Sequence, residues 1–160
     1  ISVVMDADAL NLLTKLKLSA KLPKNLIMTP HPGEASRLLG KSIDEIESNR
    51  FEAVSLLQKK FNCVVVLKGS GSLVCYSKGG KQQIGICEAG NPGMASGGMG
   101  DILTGIIAGF LAQGLSLNEA AELGVDIHAK AADLKSLDTG EAGLLASDVL
   151  EELRQLLKYE

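Results

Sequence analysis

The stretch Gly90–Phe110, "GNPGMASGGMGDILTGIIAGF", places five glycines in its first eleven residues and then passes directly into an apolar run. Glycine loses more conformational freedom on folding than any other residue, so this density is expected where the backbone bends tightly or approaches another group closely. A glycine-rich loop that runs into a helix leaves the first helical N–H groups unpaired, with the positive end of the helix dipole behind them. "GGMGDILTG" is therefore predicted to be an anion cradle at a helix start. It has neither the G-x-x-x-x-G-K-[ST] order of a Walker loop nor the G-x-G-x-x-G order of a dinucleotide fingerprint. Asp101 lies at the mouth of this cradle. Its carboxylate can cap the helix, or it can take a proton from a substrate hydroxyl while the N–H groups stabilise a transferring phosphoryl group.

Upstream of the glycines the pattern is one of short apolar runs ending in polar residues. Ser2 to Met5 reads as a buried strand that delivers Asp6 and Asp8 at its C-terminal edge, and Leu26 to Thr29 repeats this before "TPHPGE". "SIDEIESNRFEAVSLLQKKF" predicts a helix, with Ser42 and Glu45 as a capping box and apolar residues at Ile43, Ile46, Val54 and Leu57. Cys63 to Leu67 and Leu73 to Tyr76 read as strands around a glycine turn, and "SKGGKQQIGICE" closes a hairpin at Gly79 and Gly80. The remainder is helical: Ile102 to Gln113 stopped by Gly114, a segment capped by Ser116 and Glu119, and Asp148 to Leu157. Strands alternating with helices predict a layered α/β fold with a mostly parallel sheet. Its ligands are expected at the C-terminal edges of the strands.

Composition narrows the partners. The 160 residues carry 19 acidic and 16 basic side chains, a net charge of −3, with no basic block to follow a phosphate backbone. Two Tyr, three Phe and no Trp leave no stacking platform for single strands, so small molecules are expected rather than nucleic acid. No apolar run approaches the length of a membrane span, and residues 1–160 show no cationic start followed by an apolar signal core. Cys63, Cys75 and Cys87 lack metal-site spacing and read as reduced thiols among strand residues, which fits a cytoplasmic protein. The chain opens inside a strand pattern without an initiator Met, so residues 1–160 are expected to be the C-terminal portion of a longer domain whose N-terminal part is absent.

"GNPGMASGGMGDILTGIIAGFLAQG" resembles the signature of the ADP/ATP-dependent NAD(P)H-hydrate dehydratases, carbohydrate-kinase-like enzymes of the ribokinase superfamily. "MDADALNLL", "TPHPGEASRLLG", "VVLKGSGSLVCY", "DIHAKAADL" and "GEAGLLASDVL" match in the family's order. The resemblance implies one ribokinase-like domain, a three-layer α/β/α sandwich, and a metabolite-repair lyase. The hydroxyl of hydrated NADH or NADPH is phosphorylated by ADP or ATP with Mg2+, and phosphate is then eliminated.

By the same resemblance Asp101 is the catalytic base and contacts the substrate. Gly97, Gly98, Met99 and Gly100 form the anion hole, with Gly100 against the AMP portion. Lys68, Gly69, Ser70, Gly71 and Ser72 belong to the nucleotide site, and His31 contacts the hydrated dinucleotide. Asn91 and Gly93 shape the substrate approach, although an Asn-Pro-Gly turn alone explains them. Glu34 matches an acidic residue that organises hydrated magnesium in the wider superfamily, with a first-turn helix carboxylate as the alternative. Asp6 and Asp8 could bound the site and are assigned no catalytic role. His128 reads as a packed helix histidine. Relatives form homo-oligomers, commonly tetramers or larger. Two alternatives remain open: a kinase of the same fold for a sugar, hydroxymethylpyrimidine or thiazole alcohol, and a nucleotide-binding domain without catalysis.

Overall fold

Val64–Leu67, "VVVL", is buried at every position, which requires cover on both faces of the sheet that holds it. In the computed structural model, which describes residues 1–15 and 22–158, this segment is β3, the middle strand of five. Strands β1 (Val3–Met5), β2 (Leu26–Met28), β3, β4 (Ser72–Lys78) and β5 (Lys81–Cys87) lie side by side in chain order. β1, β2 and β3 are parallel, while β4 and β5 form an antiparallel hairpin joined to β3. The hairpin turns at Gly79 and Gly80, both at positive φ (59° and 76°), which suits the right-handed twist of the flanking strands.

Alternation along the strands divides the core into two layers. Met28, Val65, Leu67, Leu73 and Cys75 face one side, and α1 (Ala7–Lys15), α2 (Pro32–Leu39), α3 (Ile43–Ser48) and α4 (Arg50–Phe61) cover them. Ile27, Val64, Val66 and Val74 face the other side, covered by α5 (Met99–Ala112) and α6 (Leu117–Thr139). Helix α7 (Ala146–Leu156) closes a smaller cluster of Met99, Ala131, Ala132, Leu144 and Val149. The result is the expected three-layer α/β/α arrangement. Small residues bring α5 and α6 close: a Cβ on Gly124 would lie 2.6 Å from Cγ1 of Ile107.

The continuous helix expected from Ser42 to Phe61 is two helices. Ser42 and Glu45 do form the capping box of α3, but the backbone breaks at Asn49, whose side-chain oxygen accepts the Glu52 N–H and starts α4. A helical hydrophobic period survives such a break, so the sequence alone does not display it. "TPHPGE" is a helix start, with His31 as N-cap and Pro32 in the first turn. Cys63 and Cys75 are buried and unpaired, and burial pushes their thiols up to about 12 and about 11. Among the described residues no helix is long and apolar enough to cross a membrane.

His128 is buried in α6, and its Nε2 has no hydrogen-bond partner. Burial lowers its pKa to about 4 from 6.5, so between these values the unfolded chain binds a proton that the folded chain does not. The His128 contribution to stability is therefore fully present above pH 6.5 and is lost as pH falls towards 4. Urea unfolding should show a loss of about 2–3 kcal/mol between pH 7 and 4.5 that disappears in His128→Leu. An equal slope in that variant would show that His128 is not its source.

Candidate active site

Three parallel strands end together, and their chain direction continues into three polar residues. Beyond the strands the backbone ladder persists, with Thr29 N–H donating to Met5 O at 3.1 Å and Lys68 N–H to Pro30 O at 2.9 Å. Asp6 follows β1, His31 follows β2 and Lys68 follows β3, so the C-terminal sheet edge gathers them from positions far apart in sequence. Lys68 Nζ donates to Asp6 Oδ1 at 2.7 Å and lies 4.0 Å from Glu34 Oε2. Thr104 Oγ1 donates to the other Asp6 oxygen at 3.2 Å, tying α5 to β1. A Cβ on Gly100 would meet both Asp6 Oδ2 and Lys68 Nζ at 3.3 Å, so the first turn of α5 rests directly on the ion pair.

The His31 ring is oriented by its hydrogen bonds. Its Nδ1 accepts from the N–H groups of Gly33 (3.0 Å) and Glu34 (3.4 Å), so Nδ1 carries no hydrogen and the ring N–H is on Nε2. Glu34 Oε2 in turn accepts the His31 backbone N–H at 2.8 Å, completing a capping box. Gly33 has to lack a side chain here, since its Cβ would stand 2.9 Å from the imidazole. The His31 side chain remains half exposed, whereas that of Glu34 is 5% exposed.

Helix α5 begins at Gly98, whose φ of 90° favours glycine, and no side chain caps it. The N–H groups of Met99, Gly100 and Asp101 therefore lack intrahelical acceptors. Asp101 is exposed in this first turn. The glycine loop thus has the open helix start that its sequence predicts. Gly97 is exposed beside it, with open space where a side chain would be.

Lys68–Ser72 forms a tight turn between β3 and β4, with Gly69 and Ser70 exposed. Ser72 Oγ donates back to Gly69 O at 3.3 Å. Asn91 and Gly93 are anchored on the helical layer instead. The carboxylate of Asp133 on α6 accepts the Gly90 N–H at 2.8 Å and the Asn91 side-chain amide at 2.9 Å, and Asn91 Oδ1 accepts the Gly93 N–H at 3.0 Å. A Cβ on Gly93 would come within 2.3 Å of Glu141 O. His128 lies in the core of α6, as a packed histidine should.

Three residues in these contacts have no role assigned from sequence: Asp6 and Thr104 at the strand edge, and Asp133 on α6. Thr104 was accessible by spacing, because it lies four residues after Gly100 and shares its helix face. The Asp133 partnership spans 42 residues and leaves no local pattern. The magnesium expectation for Glu34 meets a carboxylate that is buried and already engaged. Among the described residues no group of three or more His, Cys, Asp or Glu is arranged to hold a metal ion. A surface depression of about 700 Å³ lies elsewhere, between Gln113 and Asp126, and its rim of Glu119, Glu122 and Asp126 is unsuited to phosphate.

The sheet order, the helices on both faces and the open helix start above the strand edges define a ribokinase-like α/β protein. Residues 1–155 match the Carb_kinase family model, described as NAD(P)H-hydrate dehydratase, and the chain belongs to this family. It is 53% identical over 154 residues to the bifunctional NAD(P)H-hydrate repair enzyme Nnr of Coxiella burnetii, covering 96% of this chain and 30% of that protein. It is 43% identical over 158 residues to the ADP-dependent (S)-NAD(P)H-hydrate dehydratase of Neisseria meningitidis serogroup B, covering 96% of this chain and 52% of that one. The crystal structure of the ADP/ATP-dependent NAD(P)H-hydrate dehydratase of Bacillus subtilis, co-crystallised with ATP/Mg2+ and soaked with CoA, superposes with a TM-score of 0.84 at 29% identity. That superposition covers 97% of this chain and 55% of the Bacillus chain.

The Asp6–Lys68 pair is largely withdrawn from solvent, at 11% and 20% side-chain exposure. A double-mutant cycle with Asp6→Asn and Lys68→Met should give a coupling energy of about 1–3 kcal/mol in unfolding experiments. Additive single effects would mean that the pair is not an energetic unit.

Proposed function

We propose that this chain carries the nucleotide-dependent dehydration of hydrated NADH or NADPH. The observation that carries the reading is the uncapped start of α5 with Asp101 exposed beside it, seated on the Asp6–Lys68 pair. The names of the Neisseria and Bacillus relatives support both the reaction and the nucleotide donor.

In the first step the substrate hydroxyl oxygen attacks the terminal phosphorus of ADP or ATP. A P–O bond forms to the substrate, the bond to the nucleotide's remaining phosphate breaks, and Asp101 takes the hydroxyl proton. AMP leaves when ADP is the donor. The N–H groups of Met99, Gly100 and Asp101 are assigned to the phosphoryl oxygens, where charge develops in a site with fixed dipoles. In the second step the ring C–O bond breaks and inorganic phosphate departs, pushed by the ring nitrogen's lone pair. Loss of a proton from the adjacent ring carbon restores the dihydronicotinamide. Phosphorylation is needed because hydroxide is a poor leaving group and phosphate a good one.

The remaining assignments follow the geometry. His31, whose Nδ1 is occupied by the helix cap and whose Nε2 lies 3.4 Å from Glu34 Oε1, is half exposed at the strand edge and is assigned to the hydrated dinucleotide. Asn91 and Gly93 form a wall of the substrate approach, held by Asp133. The turn Lys68–Ser72 receives the nucleotide. Lys68 is paired inward with Asp6, so the backbone of Gly69–Gly71, exposed at Gly69 and Ser70, is the better candidate for direct contact. Among the described residues no cluster of His, Cys, Asp or Glu is arranged to ligate a metal directly, and magnesium is assigned to the phosphates of the incoming nucleotide. No step is routed through Glu34.

The test is recovery of dihydronicotinamide absorbance from hydrated NADH by the natural full-length polypeptide, with ADP, ATP or no nucleotide in parallel. Nucleotide-dependent recovery is expected, and its absence in a folded, nucleotide-binding protein overturns the reading in favour of a kinase for another alcohol. Asp101→Asn should reduce turnover by about 10²–10⁴-fold while leaving ADP affinity within a few-fold, since it removes the base and keeps the N–H groups. Near-normal turnover in that variant removes Asp101 from the base role.

A further inference from the structure

Resting on the reading that Lys68–Ser72 receives the nucleotide, we infer that Arg50 is the positioning residue that shapes this turn. Arg50 is the first residue of α4, immediately after the helix break at Asn49. Its guanidinium reaches across to the strand edge and is shared among three backbone carbonyls. Nη1 donates to Ser70 O, and Nη2 lies 3.3 Å from Leu67 O and 3.4 Å from Lys68 O. A planar fork with several donors can bridge carbonyls at this spread, whereas an ammonium is a single point.

The contact fixes the direction of the peptide planes. The described chain contains no cis peptide bond, and in a trans unit the C=O of one residue and the N–H of the next point to opposite sides. Holding the carbonyls of Leu67, Lys68 and Ser70 towards α4 therefore turns the N–H groups of Lys68, Gly69 and Gly71 away from it. The Lys68 N–H obeys this rule by reaching Pro30 O. Among the described residues no backbone acceptor takes the N–H groups of Gly69 and Gly71. They are oriented donors on an exposed turn, suited to the oxygens of a nucleotide phosphate or ribose.

Gly69 records the same constraint. A Cβ there would stand 2.8 Å from Nη2, and its φ of +148° lies where side chains are rarely accommodated. The guanidinium thus occupies the space that any side chain at position 69 would need. Arg50 Nε is buried without a hydrogen-bond partner, the nearest carboxylate being Glu47 at 4.0 Å. The fork is committed to the turn even at the expense of one unsatisfied donor.

The experiment measures ADP affinity and steady-state kinetics of the full-length polypeptide carrying Arg50→Lys or Arg50→Ala. Arg50→Lys should weaken ADP binding and raise the KM for ADP by about tenfold, and Arg50→Ala by at least as much, because the two donor groups lose their fixed direction. The KM for hydrated NADH and kcat at saturating ADP should stay within about twofold, since neither the base nor the α5 N–H groups are touched. Ser55→Ala is the control for a purely structural effect. It removes the 2.6 Å hydrogen bond from α4 to Gln82 on β5 and should lower stability with no change in the KM for ADP. Wild-type ADP affinity in Arg50→Lys overturns the inference, as does a loss spread evenly over all parameters and matched by Ser55→Ala. A wild-type protein that binds ADP but does not repair hydrated NADH defeats the proposed reaction, and the Arg50 effect on ADP affinity still decides this inference. A wild-type protein that binds neither ADP nor ATP overturns both.

Discussion

The ion pair between Lys68 and Asp6 is the contact around which the strand edge is organised. It joins the ends of β1 and β3 across the intervening β2, and its second carboxylate oxygen takes the Thr104 hydroxyl of α5. Both charges are mostly out of water, and such a pair recovers its desolvation cost only with good geometry and further hydrogen bonds. What it contributes is placement. Gly100 lies against the pair, where even a Cβ would sit 3.3 Å from both charged groups, so a side chain at position 100 would press on the contact. The glycine density that opens the sequence is thereby explained in part as close approach, and at Gly98 as a positive-φ helix start.

This arrangement has an electrostatic consequence. One ammonium stands between two carboxylates, Asp6 at 2.7 Å and Glu34 at 4.0 Å, so the Lys68 charge is compensated within the fold. The Arg50 charge is likewise directed at backbone carbonyls. Neither cation is left as a free anchor for an anionic ligand. Oriented N–H groups remain, at the start of α5 and on the Gly69–Gly71 turn, and these carry partial charge without a mobile side chain to order. A phosphate held in this way would be positioned more narrowly than one held by a flexible lysine.

Legibility in the sequence followed contact range. The hairpin at Gly79–Gly80, the Ser42–Glu45 capping box and the β3 strand are written in neighbouring residues, and each is found where its pattern places it. The open start of α5 was readable for the same reason. The Asn49 break was not, because apolar spacing carries on through it and only the path of the chain towards the Lys68 turn reveals its use. His31 was visible as a singular residue between two prolines, but its capping role required knowing that a helix begins at Pro32. Asp6 with Lys68, separated by 62 residues, and Asn91 with Asp133, separated by 42, depend on topology that short-range pattern does not encode.

The candidate site residues differ in how far the fold itself uses them. His31 caps α2, Glu34 completes that cap, Lys68 binds Asp6, and Asn91 links its loop to α6. Substitution at any of these disturbs structure as well as chemistry, so a loss of activity there has two readings. Asp101 is different: it is exposed, and the helix start beside it is uncapped. A first-turn carboxylate gains only a weak interaction with the helix dipole. The fold therefore gives a thin account of its presence, whereas a group that must meet a substrate proton has to be left free of internal partners. The proposed base is thus also the residue at which structural and chemical effects separate most cleanly.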